Sequence, residues 1–541
     1  MTLPEAGNIP QRVLFNSAEF LVFFLIVFAC YWASVGLGVR FLPVLLAAAA
    51  AYFYYHPAVL PVLTGVPWID ASLAALIAAA LLVPLLAGWV KPRVWWLLLA
   101  SYYFYMSWNA KLAAVVAGSS LVDYFIAMGM ARSSEAGRRK ALLVGSMVMN
   151  LGLLFYFKYV NFFLASLHEM LARFGYTRAM PVLDVMLPIG ISFYTFEAIS
   201  YTVDVYRGRA QVEKNPFHFL LFITFFPRMI AGPIIRATNF LPQLKRNMRF
   251  SWLRFDLGMQ YVLMGLFKKM AIADRMAYLS DPIFAEPTKY DTGAVWVAMI
   301  AYSLQIYCDF SGYSDVAIGT AHMLGFKLPV NFNMPYMAKN ITEFWRRWHI
   351  SLSTWLRDYV FIQLGGSRGT LLKTAYTLLM TFALCGLWHG AKWTFVAWGV
   401  MQGVFSIAQR LFNDFNKSRP ALKSLLETQA GVVARVAVTY FAVLCSWVVF
   451  RSQDFGMVWT VFGQMFHYHK GVMVRTPIGP LSLVFAVVLV LAAHIAVEGG
   501  LWKKMAARFG PMAWGFSYAL VVVLIGILMP EEAKAFIYFQ F

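Results

Sequence analysis

The chain has 541 residues, of which 61% are hydrophobic and only 13% charged, and its mean hydropathy is +0.65. A soluble globular chain carries roughly a quarter charged residues, so this composition excludes a string of soluble domains and leaves a polytopic membrane protein. The net charge of +20 does not point to nucleic acid, because the lysines and arginines fall in short clusters between apolar runs, as in loops held against anionic headgroups.

A helix needs ~20 mostly apolar residues to cross a bilayer. In chain order the candidates are Phe20–Ser34, Phe41–Tyr55, Ala71–Val90, Val94–Trp108, Leu112–Met130, Ala141–Phe157 and Val182–Thr202. Met259–Ala273, Ala294–Tyr307, Ala375–Leu387, Thr394–Phe412, Val432–Phe450, Leu481–Ile495 and Trp514–Met529 follow. The first run is expected to be a retained helix rather than a cleaved signal, since further spans follow it. No internal repeat or long linker divides the chain, so residues 1–541 are expected to form a single integral-membrane domain.

Loop charge sets an expected orientation. Lys91–Arg93, Ala131–Lys140 and the trio Arg207, Arg209 and Lys214 are each separated by two candidate spans, and the positive-inside tendency places them in the cytoplasm. The relatively acidic stretch DPIFAEPTKYDTG then reads as an outer loop. Between basic flanks lies His218–Ile235, apolar but interrupted by Pro227, Arg228, Gly232 and Pro233. A re-entrant segment fits this pattern, with a proline-kinked span as the alternative. Broken backbone at membrane depth is tolerated only when buried or lining a cavity.

The stretch from Asn340 to Gly390 carries the most chemistry. Taken as one helix, Phe344–Tyr359 places Trp345, Trp348, His349, Leu352, Trp355 and Leu356 on one face and Arg347, Ser351, Thr354 and Asp358 on the other, flanked by Arg346 and Arg357. This reads as a helix lying along the membrane interface, aromatic side inward. A lone histidine on such a face is ordinarily a hydrogen-bonded core residue. His389, in GLWHG beside Trp388, is either an intramembrane functional group or a loop-tip histidine between two helices. Histidine takes a proton from a hydroxyl near neutral pH, which suits group transfer to an alcohol.

Further intramembrane polar residues stand in YSLQIYCDFSGYSDVAIG. Asp309 and Asp315 are six apart and so do not share a helix face as residues three or four apart do. Asp309 reads as structural support, and Asp315 stays open. Asp123 and Glu197 are lone acids with no partner assignable from sequence. The four cysteines, Cys30, Cys308, Cys385 and Cys445, lie singly in apolar runs and read as small buried hydrophobes. There is no GxxxxGK[ST] loop, HExxH pair or GxSxG elbow, and neither histidine has a ligand neighbour at metal spacing.

The motifs LPIGISFYTFEAISYTVDVYRG, FFPRMIAGPIIR, GLFKKMAIADR, YCDFSGYSDVAIG, NFNMPYMAKNITEFWRRWHISLSTWLRDYVFIQLGG, GLWHGAKWTF and terminal FIYFQF run in order over residues 187–541. Together they resemble the membrane-bound O-acyltransferase family, in particular its bacterial branch of alginate and peptidoglycan O-acetyltransferases and the teichoic-acid D-alanyl transfer protein. The resemblance implies an all-α ring of transmembrane helices with re-entrant and interfacial helices around a central tunnel. It makes His389 the family's active-site histidine and His349 the second histidine of this branch. Arg346, Arg347, Trp348, Trp388, Asp309 and Asp315 become candidates for binding the donor or lining the tunnel.

The implied donor is cytoplasmic acetyl-CoA, with no covalently bound cofactor and no metal. The implied acceptor is a hydroxyl of a secreted polysaccharide, reached by way of an SGNH-hydrolase-type partner outside a bacterial inner membrane. A transporter or flippase is the alternative from another class, since polar groups near the midplane also mark substrate pathways. One departure from the family pattern stands out: residues 41–92 read as an extra helical insertion.

Overall fold

Eight helices among the described residues are long and apolar enough to cross a membrane: Ala18–Gly36, Ala110–Arg132, Ala136–Ala172, Thr292–Met323, Leu371–His389, Gln429–Arg451, Leu481–Glu498 and Pro511–Leu528. The computed structural model describes residues 15–37, 88–176, 178–230, 232–473, 479–501, 504, 508–530, 534, 536 and 537. The chain is an all-α multi-pass membrane protein. The candidate helix Phe41–Tyr55 lies outside the described residues, as do Ala71–Val90 up to residue 87 and most of the expected 41–92 insertion. By backbone proximity the chain forms two compact units, one of Met1–Phe157, Val185–Val262 and Val316–Leu328, the other of Lys158–Asp184, Leu263–Asp315 and Pro329–Phe541.

In the first unit, lone acids find partners from distant segments. Asp123 accepts from Ser146 Oγ at 2.6 Å and Asn150 Nδ2 at 2.8 Å, so a carboxylate that would be costly in an apolar setting is satisfied by side chains of the next helix. Glu197 pairs with Arg228 and also accepts from the Ile235 amide at 3.1 Å. These contacts brace the His218–Ile235 stretch, which is not a spanning helix. Its helix, Pro216–Thr224, has nine residues and rises only ~14 Å, about half the hydrocarbon thickness. A single 3-10 turn follows at Phe226–Arg228, Met229 and Ile230 form a further turn, and the next helix is Ala237–Lys245.

The break is buried, as irregular backbone must be at membrane depth. Phe225 and Phe226 have no exposed surface, and the Phe226 amide is satisfied by Ser101 Oγ at 3.1 Å. Gly190 explains why the expected Val182–Thr202 helix starts only at Ile191. Its φ is +74° and a Cβ there would run into the Met229 carbonyl, so glycine is required and the helix begins after it.

Glu213 ties the loop ahead of this stretch to the helix behind it. Burial alone would raise its pKa. His218 at 3.6 Å, Lys245 at 2.9 Å and the Asn215 amide at 3.1 Å outweigh burial and hold it at about 2. A depressed carboxylate contributes stability above its unfolded pKa and loses it as pH falls through the folded value. Allowing for solvent around the exposed Lys245, the contribution is about 1–2 kcal/mol. The melting temperature of detergent-solubilised wild type should exceed that of Glu213→Gln at pH 6, with the gap closing between about pH 4.5 and pH 2. A gap constant over that range would refute the assignment.

The helix Thr292–Met323, whose residues up to Asp315 belong to the second unit, runs far beyond the expected Ala294–Tyr307, and most of its spanning window is buried. Its 32 residues extend ~48 Å, so the polar run through Asp309 and Asp315 is part of one helix. Asp281–Ala285, expected in an outer loop, belongs to the helix Asp274–Ala285. The helix expected to end at Phe157 continues to Ala172, and Phe455–Phe466 is a further helix outside the expected set.

Lys269 bridges Asp274 and Asp309, each at 2.8 Å, with all three side chains at most 3% exposed. Lys268 pairs with Asp315. The second oxygen of Asp309 accepts from the Ile537 amide at 2.6 Å, and Phe536 lies 4.1 Å from the Tyr313 ring. Phe536 and Ile537 are thus anchored at the same carboxylate. Both lysines stand on a seven-residue π turn, Phe267–Ala273.

Candidate active site

Leu371–His389 and Trp393–Lys417 form a tight helical hairpin in the second unit. A Cβ on Gly386 would meet the Phe395 carbonyl, and one on Gly399 the Phe382 carbonyl. This pair of glycines lets the two backbones touch. His389 is the last residue of the first helix and is 4% exposed, so it is not a loop tip. Its ring stands edge-on to Trp398 at 5.1 Å and Phe450 at 5.3 Å, with Trp388 at 5.0 Å.

His349 is fully buried and reaches the same place from a broken helix. The expected single helix Phe344–Tyr359 is broken into Ile341–Arg347 and Ile350–Leu356, the second continuing as the π turn Arg357–Phe361. Trp348 is extended, and His349 sits in the left-handed region at φ 42°, ψ 56°. Such backbone in a non-glycine residue costs about 1–3 kcal/mol and persists only where surrounding contacts fix it.

The contacts come from the NFN motif. The Asn331 carbonyl accepts from the Ile350 amide at 2.9 Å, and its side-chain oxygen accepts from Ser351 N at 3.2 Å and Oγ at 2.7 Å. The Asn333 amide donates to the Arg347 carbonyl at 2.9 Å. Ser351, assigned to the polar face, is buried because of this clamp. The apolar set Trp345, Trp348, Leu352, Trp355 and Leu356 is buried as its spacing implies.

The kink brings the two histidines together. The ring centroids of His349 and His389 are 6.5 Å apart, and Trp388 is 5.9 Å from His349. Phe310 packs edge-on to His349 at 4.6 Å and Phe332 stacks near it at 6.4 Å. Burial in this aromatic setting pulls the His349 imidazole down to about 3, so the ring is neutral near pH 7. Two imidazoles enclosed by aromatic rings can bracket a single reacting carbonyl and move a proton while little water is present.

The other predicted residues divide. Trp388 and Trp348 belong to the aromatic wall, Trp348 lying 5.1 Å from Trp447. Asp309 and Asp315 are engaged by Lys269 and Lys268. Arg346 is exposed. Arg347 donates to Glu343 at 2.7 Å and to Glu498 at 2.8 Å, so a donor phosphate would have to compete with these carboxylates. Residues not singled out by sequence reasoning are Asn331, Lys158 and His494. His494 is buried, with Nδ1 held on the Val490 carbonyl at 2.8 Å and its ring 5.3 Å from Tyr307. A lone lysine inside an apolar run and a histidine inside another were the available signals.

Comparison with known proteins agrees with the all-α membrane fold. The membrane-bound O-acyltransferase family matches over residues 207–450. A protein of Azotobacter vinelandii named "Probable alginate O-acetylase AlgI" is 39% identical over 407 residues, covering 73% of this chain and 78% of the relative. The peptidoglycan O-acetyltransferase of Helicobacter pylori is 35% identical over 385 residues, covering 66% and 71%. The teichoic acid D-alanyltransferase of Bacillus subtilis is 29% identical over 284 residues, covering 49% and 69%. The chain belongs to the membrane-bound O-acyltransferase family and is an O-acyltransferase.

Proposed function

We propose that this protein moves an acetyl group from acetyl-CoA on the cytoplasmic side of a bacterial inner membrane to a hydroxyl of an exported polysaccharide, by way of an SGNH-hydrolase-type partner outside. The observation that carries the reading is the meeting of His349 and His389 in one buried aromatic cluster. His389 takes the proton from the acceptor hydroxyl as its oxygen attacks the thioester carbonyl. The new C–O bond forms, the C–S bond breaks, and the proton passes to the leaving thiolate, giving free coenzyme A. His349, neutral and held at a fixed angle by the Asn331 clamp, orients the thioester or donates a hydrogen bond to the oxygen on which charge develops.

An acetyl rather than a D-alanyl cargo is favoured because the relatives with higher identity and coverage carry O-acetyl names. Everted membrane vesicles from the source cells, given acetyl-CoA labelled in its acetyl group, test the proposal. The expected result is release of free thiol with label in alkali-labile ester on a luminal acceptor. Intact labelled acetyl-CoA accumulating inside without thiol release would indicate transport and overturn it.

A further inference from the structure

We infer that Lys158, supported by Tyr159, is a positioning residue that holds His389 in place for acyl transfer; this rests on the proposed role of His389.

The inference starts from a cost. Lys158 lies within the apolar span Ala136–Ala172, where an ammonium is expensive and ordinarily marks a functional contact. It stands on the π turn Phe155–Tyr159, an irregularity found disproportionately at functional sites. What it touches is the end of the helix that carries His389.

A helix leaves its last four carbonyls without an internal partner. Here those are the carbonyls of Gly386, Leu387, Trp388 and His389, and all four are satisfied. The Gly390 amide donates to Gly386 at 3.4 Å. The Tyr159 hydroxyl donates to Leu387 at 2.9 Å. Lys158 Nζ donates to Trp388 at 2.6 Å and to His389 at 3.1 Å. The cation also complements the negative end of the helix dipole, and its Nζ lies 6.0 Å from the Trp388 ring.

Helices commonly end on a glycine in left-handed backbone with no such help. Gly390 is instead extended, at φ −164°, and a Cβ there would strike the Phe395 ring. The local sequence therefore does not close this helix by itself. The closure comes from Lys158 and Tyr159, a segment far away in the chain. Two of the four bonds fall on the backbone of His389 and its neighbour. The bonds thus set where the imidazole stands between Trp398 and Phe450.

Lys158→Met keeps most of the length of the side chain and removes its donors and charge. The readout is thiol release from acetyl-CoA in everted vesicles, normalised to folded protein. Displacing a reacting group by an ångström costs about 10²-fold, so kcat should fall about that much while KM for acetyl-CoA stays within about twofold. A merely structural lysine would lower the amount of folded protein and leave kcat per molecule unchanged, and that outcome overturns the inference.

If Lys158→Met does not accumulate, Tyr159→Phe removes one hydroxyl from the same closure. Its kcat should fall roughly two- to tenfold at unchanged KM, and wild-type kcat would overturn the inference. His389→Gln measured in parallel separates the two ideas. An inactive His389→Gln beside a fully active Lys158→Met rejects the role of Lys158 alone. A fully active His389→Gln rejects the reading of the site.

Discussion

Substituting His389 with alanine or glutamine should lower acyl transfer by roughly 10²–10⁴-fold, the usual contribution of a positioned general base. The imidazole is 4% exposed and lies against Trp388, Trp398 and Phe450. Alanine leaves a void among those rings, whereas glutamine keeps much of the volume without a base of comparable pKa. Packing loss alone would make alanine much worse than glutamine. Loss of the proposed base would make both nearly inactive at normal abundance. Thiol release from acetyl-CoA and ester on the exported polymer, each normalised to protein detected in the membrane, are the measurements. Undiminished ester in either variant would remove His389 from the chemistry.

The largest effect on stability is expected at Lys269. Its ammonium is shared by Asp274 and Asp309, and Lys269→Met would strand two buried carboxylates. Removing one partner of a buried ion pair costs about 3–5 kcal/mol, a large part of the stability of a typical domain. The variant should accumulate poorly and melt well below wild type in detergent. Adding Asp274→Asn to it should recover part of the loss, because a neutral amide is cheaper to bury than a charge. A melting temperature for Lys269→Met within a degree or two of wild type would show that the triad carries little of the fold. Asp309 also receives the Ile537 amide, so the same variant should loosen the C-terminal motif.

Much of the architecture was legible because it depends on local apolar content. Length and hydropathy marked most of the spanning helices, and the 3.6-residue spacing found the buried face of Trp345, Trp348, Leu352, Trp355 and Leu356. The break at His349 was not legible. Nothing in RRWHIS announces left-handed backbone, and the residues that enforce it, Asn331 and Asn333, lie earlier in the chain. Glu197 with Arg228, and Lys269 with Asp274 and Asp309, could not be paired for the same reason: ion pairing at depth is a tertiary fact. Lys158 could have been noticed as a charge inside an apolar run, but its targets are main-chain carbonyls, which leave no mark in the sequence.

The π turns carry a consequence for chain length. Phe155–Tyr159 and Phe267–Ala273 each wind more than 3.6 residues into a turn, and they bear Lys158, Lys268 and Lys269. Deleting a single residue from either would let the hydrogen bonding revert to the regular ladder, which costs little locally and leaves hydropathy nearly unchanged. It would also swing the lysine by about 100° around the helix axis and slide it about 1.5 Å along it, away from its carbonyl or carboxylate. One position gained or lost in these turns therefore matters more than many substitutions elsewhere. Shortening the chain there would preserve the spans while disconnecting them from the chemistry.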